Sequence, residues 1–251
     1  MKKKTALPTT DIEQASKSEV AYLRVKSDIV SGRISSDEPL RVEALKSSYD
    51  LGITPIRDAL ARLVAEGFVQ LRHNRGYCTT RLSAEDFEDL VFSRATVETV
   101  LLERAIERGG EQWEVGILTA HHLLGKCKLD IRDPDLNDLE QWEERHIDFH
   151  MALVSAADSK HLLAFYRSLY DHFRRHQKAF VLLPSANRAV QGDKDALSAI
   201  KELEKRMAIE EHTKLMEAAI SRDVDLAIKL IREHSSLTPS RIGVPYFVGS
   251  E

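Results

Sequence analysis

Two cysteines, Cys78 and Cys127, are all that the 251 residues contain, and their separation fits no zinc-ligand spacing. A disulfide-rich framework is excluded, and a reduced, cytoplasmic setting is the expectation. No run of about 18 apolar residues occurs, so the sequence holds no evident membrane span. The basic start Met1-Lys2-Lys3-Lys4 is followed by no long apolar stretch and does not resemble a secretory signal. The 11 glycines form neither a phosphate-binding loop nor a Gly-x-Ser-x-Gly elbow, which removes the common nucleotide-binding and hydrolase signatures.

What is present is the composition of a globular protein, with 30% charged and 43% hydrophobic residues. The length suits two domains, each able to bury its own core. A net charge of −4 conceals an asymmetry. Residues 1–81 carry 14 Lys and Arg against 10 Asp and Glu, whereas residues 82–251 carry 22 against 30. A basic head on an acidic body is the pattern expected when only the head meets nucleic acid.

The head is mostly helical. Residues 1–17 lack apolar periodicity and read as a flexible arm. An amphipathic helix from Ser18 is followed by a short second helix over 42–49 and a third over 54–67. Gly52 or Thr54 can cap the third helix, Pro55 suits its first turn, and Ile56, Leu60, Leu63 and Val64 share a face. Segments 68–71 and 77–81 alternate like paired strands around Asn74-Arg75-Gly76. Together, residues 18–82 have the layout of a winged helix-turn-helix, whose second helix usually enters the major groove. The remainder, 83–238, reads as helix after helix: 83–109, 112–130, 136–157, 160–181, 195–221 and 223–237, with boundaries at Pro134 and Pro184 and a tail over 239–251. The fold class is therefore mostly α: a winged helix-turn-helix followed by an all-α bundle of six to seven helices.

The run Thr54-Pro55-Ile56-Arg57-Asp58-Ala59-Leu60, with Glu66-Gly67-Phe68-Val69 and Asn74-Arg75-Gly76, resembles the head of GntR-type transcriptional regulators. In the body, Arg94 with Glu98, Phe149-His150, Glu211-His212 and Glu233-His234 resemble the FadR subfamily with its FCD-type effector domain. The resemblance implies that Arg41, Thr54, Arg57, Asn74, Arg75 and Gly76 face double-stranded operator DNA, and that the protein is a homodimer. The sequence also departs from the family. Its turn Gly falls on Asp50, its Ser on Gly52, and two of its DNA-contacting arginines on Ile53 and Glu43, with Arg41 left to stand in for the lost charge. For Arg57 two readings remain open, a DNA contact or a salt bridge with Asp58 or Glu66.

His146 and His150 lie four residues apart and so share a helix face. Neutral imidazole is a common ligand for zinc and nickel. The resemblance implies that His150, His212 and His234 are metal ligands, with His146 standing where the family usually has Asp. An all-imidazole set favours zinc or nickel over a hard, oxygen-preferring ion. His121, His122, His161, His172 and His176 have no such support and read as structural. A metal with an open position can take a carboxylate oxygen, and Arg94 can hold a carboxylate in a bidentate contact. These features imply a small mono- or dicarboxylate effector, and the pattern looks closest to regulators of glutarate and related dicarboxylate catabolism. The alternative is a metal-dependent helical hydrolase fused to a DNA-binding head. It lacks an evident general base beside the histidines.

Overall fold

A computed structural model describes residues 15–132 and 135–235. Most of the N-terminal arm, the boundary at Pro134 and the tail over 239–251 lie outside the described residues. The chain divides into two compact units, one through Leu82 and one from Ser83.

The first unit contains α1 (Lys17–Val30), α2 (Val42–Tyr49) and α3 (Ile53–Ala65), followed by the antiparallel pair β1 (Val69–Arg72) and β2 (Gly76–Thr79). Ser16 caps α1 by accepting from the Glu19 amide. Ile56, Ala59, Leu60 and Leu63 of α3 pack with Val25 and Ile29 of α1 and with Phe68. Val64 does not join them. It lies about 100° round the helix from Leu63 and is exposed. The helix starts on Gly52, in extended conformation and without a side-chain cap, so Thr54 is not the cap. Asp50 ends α2 in the left-handed region, φ 55°. Asp is among the few non-glycine residues that tolerate this region. The hairpin pairs Arg72 with Gly76, and its tip uses positive φ at Asn74 (62°) and Gly76 (71°).

Eight α-helices follow among the described residues of the second unit. They are α4 (Ala84–Arg108), α5 (Glu111–Leu124), α6 (Leu136–Val154), α7 (Lys160–Gln177), α8 (Leu183–Val190), α9 (Lys194–Met207), α10 (Ile209–Ile220) and α11 (Val224–Ser235). Ser83 caps α4 from the Asp86 amide, with Glu85 and Asp86 in its first turn. The helix expected to close before Pro184 instead passes from α7 through a π-helical turn, Lys178–Leu182, into α8, and Pro184 lies in the first turn of α8. The single helix expected over 195–221 is broken at Ala208, whose ψ of 142° separates α9 from α10. None of the described helices is long and apolar enough to cross a membrane.

The bundle core joins Leu101, Leu102 and Ile106 of α4 to Trp113 and Ile117 of α5, Phe149 and Leu153 of α6, Tyr166 and Tyr170 of α7, and Leu215 and Ile231 beyond. The α4–α5 corner depends on Gly109. A Cβ there would stand 2.2 Å from Trp113 Cε3 and 2.8 Å from the Ala105 carbonyl oxygen. The Trp113 indole cannot easily move aside, because its Nε1 donates to the Leu153 carbonyl at 3.0 Å. Gly109→Ala is therefore expected to destabilise the protein by about 1–3 kcal/mol, the usual cost of overpacking. A denaturant midpoint unchanged from wild type would refute this account of the corner.

Candidate functional site

Three helices bring four histidine rings together. His146 and His150 come from one face of α6, His212 from the first turn of α10, and His234 from the end of α11. One ligand nitrogen from each lies within 4.8 Å of all the others. The Nε2 atoms of His146 and His150 are 3.1 Å apart, and those of His146 and His234 are 3.3 Å apart. His150 and His212 are fully buried and His146 nearly so, while His234 is partly exposed.

The surroundings fix which nitrogens carry protons. His150 Nδ1 lies 2.5 Å from Glu98 Oε1. Burial acts to raise the Glu98 carboxyl, but the His150 ring beside it, the hydrogen bond between them and the Arg94 charge outweigh burial and hold it at about 2. An ionised carboxylate only accepts, so His150 Nδ1 donates, and its Nε2 faces the cluster. His212 Nδ1 donates to the Ala208 carbonyl at 2.9 Å, and its buried Nε2 has no hydrogen-bond partner among the described residues. Burial pushes His212 down to about 3, and burial together with the neighbouring rings drives His146 and His234 well below the usual imidazole value. At neutral pH these three rings are uncharged. Lone pairs facing one another across about 3 Å in a dry interior repel, and a divalent cation is what such a donor set fits.

Around the rings are groups that the sequence alone does not single out. Tyr170 on α7 meets His146 Nδ1, and Trp142, one turn before His146 on α6, stacks on its ring at 4.4 Å. Tyr166 and Ser235 donate to Glu98 at 2.6 and 3.0 Å. Farther along α6, the buried Glu143 is held by Arg174 at 2.8 Å and Lys178 at 2.9 Å, which ties α6 to α7 and the π-helical turn.

Arg94 on α4 is 2% exposed, and its Nε and Nη1 are buried without hydrogen-bond partners among the described residues. Its guanidinium lies over Phe173 at 4.1 Å and Tyr170 at 5.4 Å. With His146, His234, Arg206 and Gln177 it lines a cavity of about 30 Å³. A buried guanidinium with unused donors, beside a cluster of metal-ligand type, is suited to a carboxylate. Arg206 is a second cation on this cavity. It is occupied by Glu202 at 2.8 Å and by the Glu233 carbonyl.

In the head, Arg41, Thr54, Arg57, Asn74, Arg75 and Gly76 are all exposed. Arg41 is the N-cap residue of α2, Thr54 and Arg57 lie in the first turns of α3, and the other three form the hairpin tip. The salt-bridge reading of Arg57 does not hold among the described residues. Asp58 accepts from Ser18, while Glu66 is taken by Tyr22, Lys26 and Arg62. Of the histidines read as structural, His121 bonds Thr213 at 2.9 Å. His176 is buried beside Phe87, with burial pushing it down to about 4.

These depressed histidines determine how stability varies with pH. Their folded values lie below 6.5, so as pH falls the unfolded chain takes up protons first. Their contribution is complete above about 6.5 and is lost as pH falls toward 3–4. Chelator-treated protein should lose stability between pH 7 and 5, with each such ring contributing up to about 1.4 kcal/mol per pH unit. A melting temperature that is flat across that interval would remove the buried neutral rings from this account.

Residues 17–78 match the family described as "Bacterial regulatory proteins, gntR family", and residues 89–236 match the "FCD domain". Among curated proteins, the chain is 34% identical over 218 residues to "HTH-type transcriptional repressor GlaR" of Escherichia coli K12, covering 87% of this chain and 91% of that protein. It is 31% identical to the regulator BphR of Paraburkholderia xenovorans, covering 86% and 81%. Among solved structures, E. coli McbR/YncC shares the fold with a TM-score of 0.67 at 14% identity, covering 92% of this chain and 98% of that one. A GntR regulator from Rhodococcus sp. RHA1 gives 0.64 at 18%, covering 91% and 98%. Both families and the curated relatives are transcriptional regulators, so the hydrolase reading is set aside. The chain belongs to the GntR family of transcriptional regulators, with an FCD effector-binding domain behind its DNA-binding head.

Proposed function

We propose that this regulator is a homodimeric repressor whose helical domain binds a divalent metal, zinc or nickel, and senses a small carboxylic acid beside it. The observation that carries the reading is the pairing of four inward imidazole nitrogens with a buried Arg94 whose Nε and Nη1 have no hydrogen-bond partner among the described residues. His146, His150, His212 and His234 would hold the ion, and when bound it supplies a positive centre for one carboxylate oxygen. Arg94 supplies directional donors from the adjoining wall, and Glu98 keeps the His150 ring turned so that Nε2 faces inward. Phe173, Tyr170 and Trp142 keep the site dry, which strengthens the attraction of the guanidinium for an anion.

Binding regulates only if the acid prefers one of two protein states. Arg94 lies on α4, the helix that follows the DNA-binding head directly in sequence. An acid that draws Arg94 toward the ion therefore acts on the element joined to the head. In the head, Arg57 and Thr54 would meet base edges, while Arg41, Asn74, Arg75 and Gly76 would meet the backbone or groove edge, with two heads reading two half-sites.

Arg57→Ala should weaken operator binding by about 1–3 kcal/mol while leaving melting unchanged, since the side chain is exposed and makes no hydrogen bond or ion pair among the described residues. Wild-type affinity in a gel-shift titration would remove this residue from the interface.

Elemental analysis of purified protein should find about one zinc or nickel per chain, and His212→Ala should abolish it. A saturating acid, at about 100 times its dissociation constant, should stabilise the metal-loaded protein by about 2.7 kcal/mol. Arg94→Ala should diminish that gain with the metal retained. Full metal in the His212 variant, or an acid response indifferent to Arg94, would show the site to be misassigned.

A further inference from the structure

The cavity at Arg94 and the histidines, about 30 Å³, has room for little more than a water molecule or two. An organic acid that places its carboxylate there must put its remaining atoms elsewhere. A second cleft, of about 320 Å³, lies between the end of α5, the start of α6 and the α9–α10 junction. This is within the size range of small-molecule sites. Two residues, Trp142 and Met207, line both spaces, so they form the partition between them.

The cleft wall mixes apolar and polar surface and carries an acid where the Arg94 cavity carries cations. Leu124, Leu129 and Ile131 are apolar, and Cys127 is half-buried with its thiol pushed up by burial. The charged residue on the wall is acidic, Glu204, and it is paired with Arg132 at 3.0 Å. Among the described residues that line the cleft none is a cation, and the adjoining Arg132 is held by Glu204, whereas a hydrocarbon chain would find the side chains of Leu124, Leu129 and Ile131. The partition is also built to yield. Met207 is an unbranched, three-rotor side chain on the last residue of α9, next to the backbone break at Ala208.

We propose that the cleft receives the apolar part of the effector. The preferred ligand is then a monocarboxylic acid with a hydrocarbon chain or ring, its carboxylate at Arg94 and its tail passing between Trp142 and Met207. This rests on the carboxylate reading above and narrows it from small mono- or dicarboxylates in general.

The test is calorimetric titration of metal-loaded protein with acetate, butyrate, hexanoate, octanoate and glutarate, in wild type and in Cys127→Phe, which fills the cleft from a position away from Arg94 and the histidines. Wild type should gain about two- to fourfold in affinity per methylene from butyrate to octanoate, the scale of burying a methylene. Cys127→Phe should flatten that series and leave the short acids unchanged. A flat wild-type series, or glutarate binding best, overturns the inference and leaves the carboxylate site standing. A chain-length gain that survives Cys127→Phe in a variant with wild-type melting also overturns it, because the tail then lies elsewhere. If no acid of any length binds, the carboxylate reading itself fails. Should Cys127→Phe not fold, the wild-type series alone still decides, because the gain per methylene needs no variant.

Discussion

Glu98 is fully buried, and its two oxygens take hydrogen bonds from His150 on α6, Tyr166 on α7 and Ser235 on α11. Four helices, including its own α4, therefore meet on one carboxylate. Burying an anion is costly unless its lone pairs are met, and here three donors and the Arg94 charge four residues away meet them. The arrangement orients His150, anchors the last turn of α11 next to His234, and keeps α4 against α7. With Glu98 neutral or missing, two metal-type ligands lose their aim and the buried Arg94 loses its nearest counter-charge.

The helical interior is thus organised in two tiers. Inner groups offer lone pairs: the imidazole nitrogens. Outer groups set their direction: Glu98 for His150, the Ala208 carbonyl for His212, and Tyr170 with the Trp142 stack for His146. Arg94 stands apart from this pattern because its Nε and Nη1 have no hydrogen-bond partner among the described residues. Desolvated donors of that kind cost stability in the unliganded protein. The same cost, relieved when an anion arrives, favours binding.

Much of this is legible in the sequence because spacing and type carry it. His146 and His150 declare a shared helix face, and the Thr54-Pro55 start with the Asn74-Arg75-Gly76 tip marks the head. The outer tier is harder to read. A Glu four residues after an Arg looks like a surface pair, and nothing local shows that Glu98 points to three other helices. Trp142 and Tyr170 read as core, which they also are. The break at Ala208 is silent, because Lys205-Arg206-Met207-Ala208-Ile209 contains neither Gly nor Pro. Around it, His212 four residues on donates to the Ala208 carbonyl, and Arg206 reaches across to the end of α11. The π-helical turn after α7 is set by packing, with Lys178 drawn inward to Glu143.

The carbonyl that His212 holds belongs to the residue forming the lip of the second cleft. Ring and lip are one lever, with the imidazole at one end and the α9–α10 junction at the other. On the proposed function, an ion drawn to Nε2 would set the attitude of that lever. A ligand seated against the lip bears on the same lever from the opposite end. Thermodynamic reciprocity then applies: whatever the ion adds to the grip on the ligand, the ligand adds to the grip on the ion. On the proposed function, a cell short of metal would meet a protein with a different threshold for an acid, and the dose at which the regulator responds would report two supplies at once.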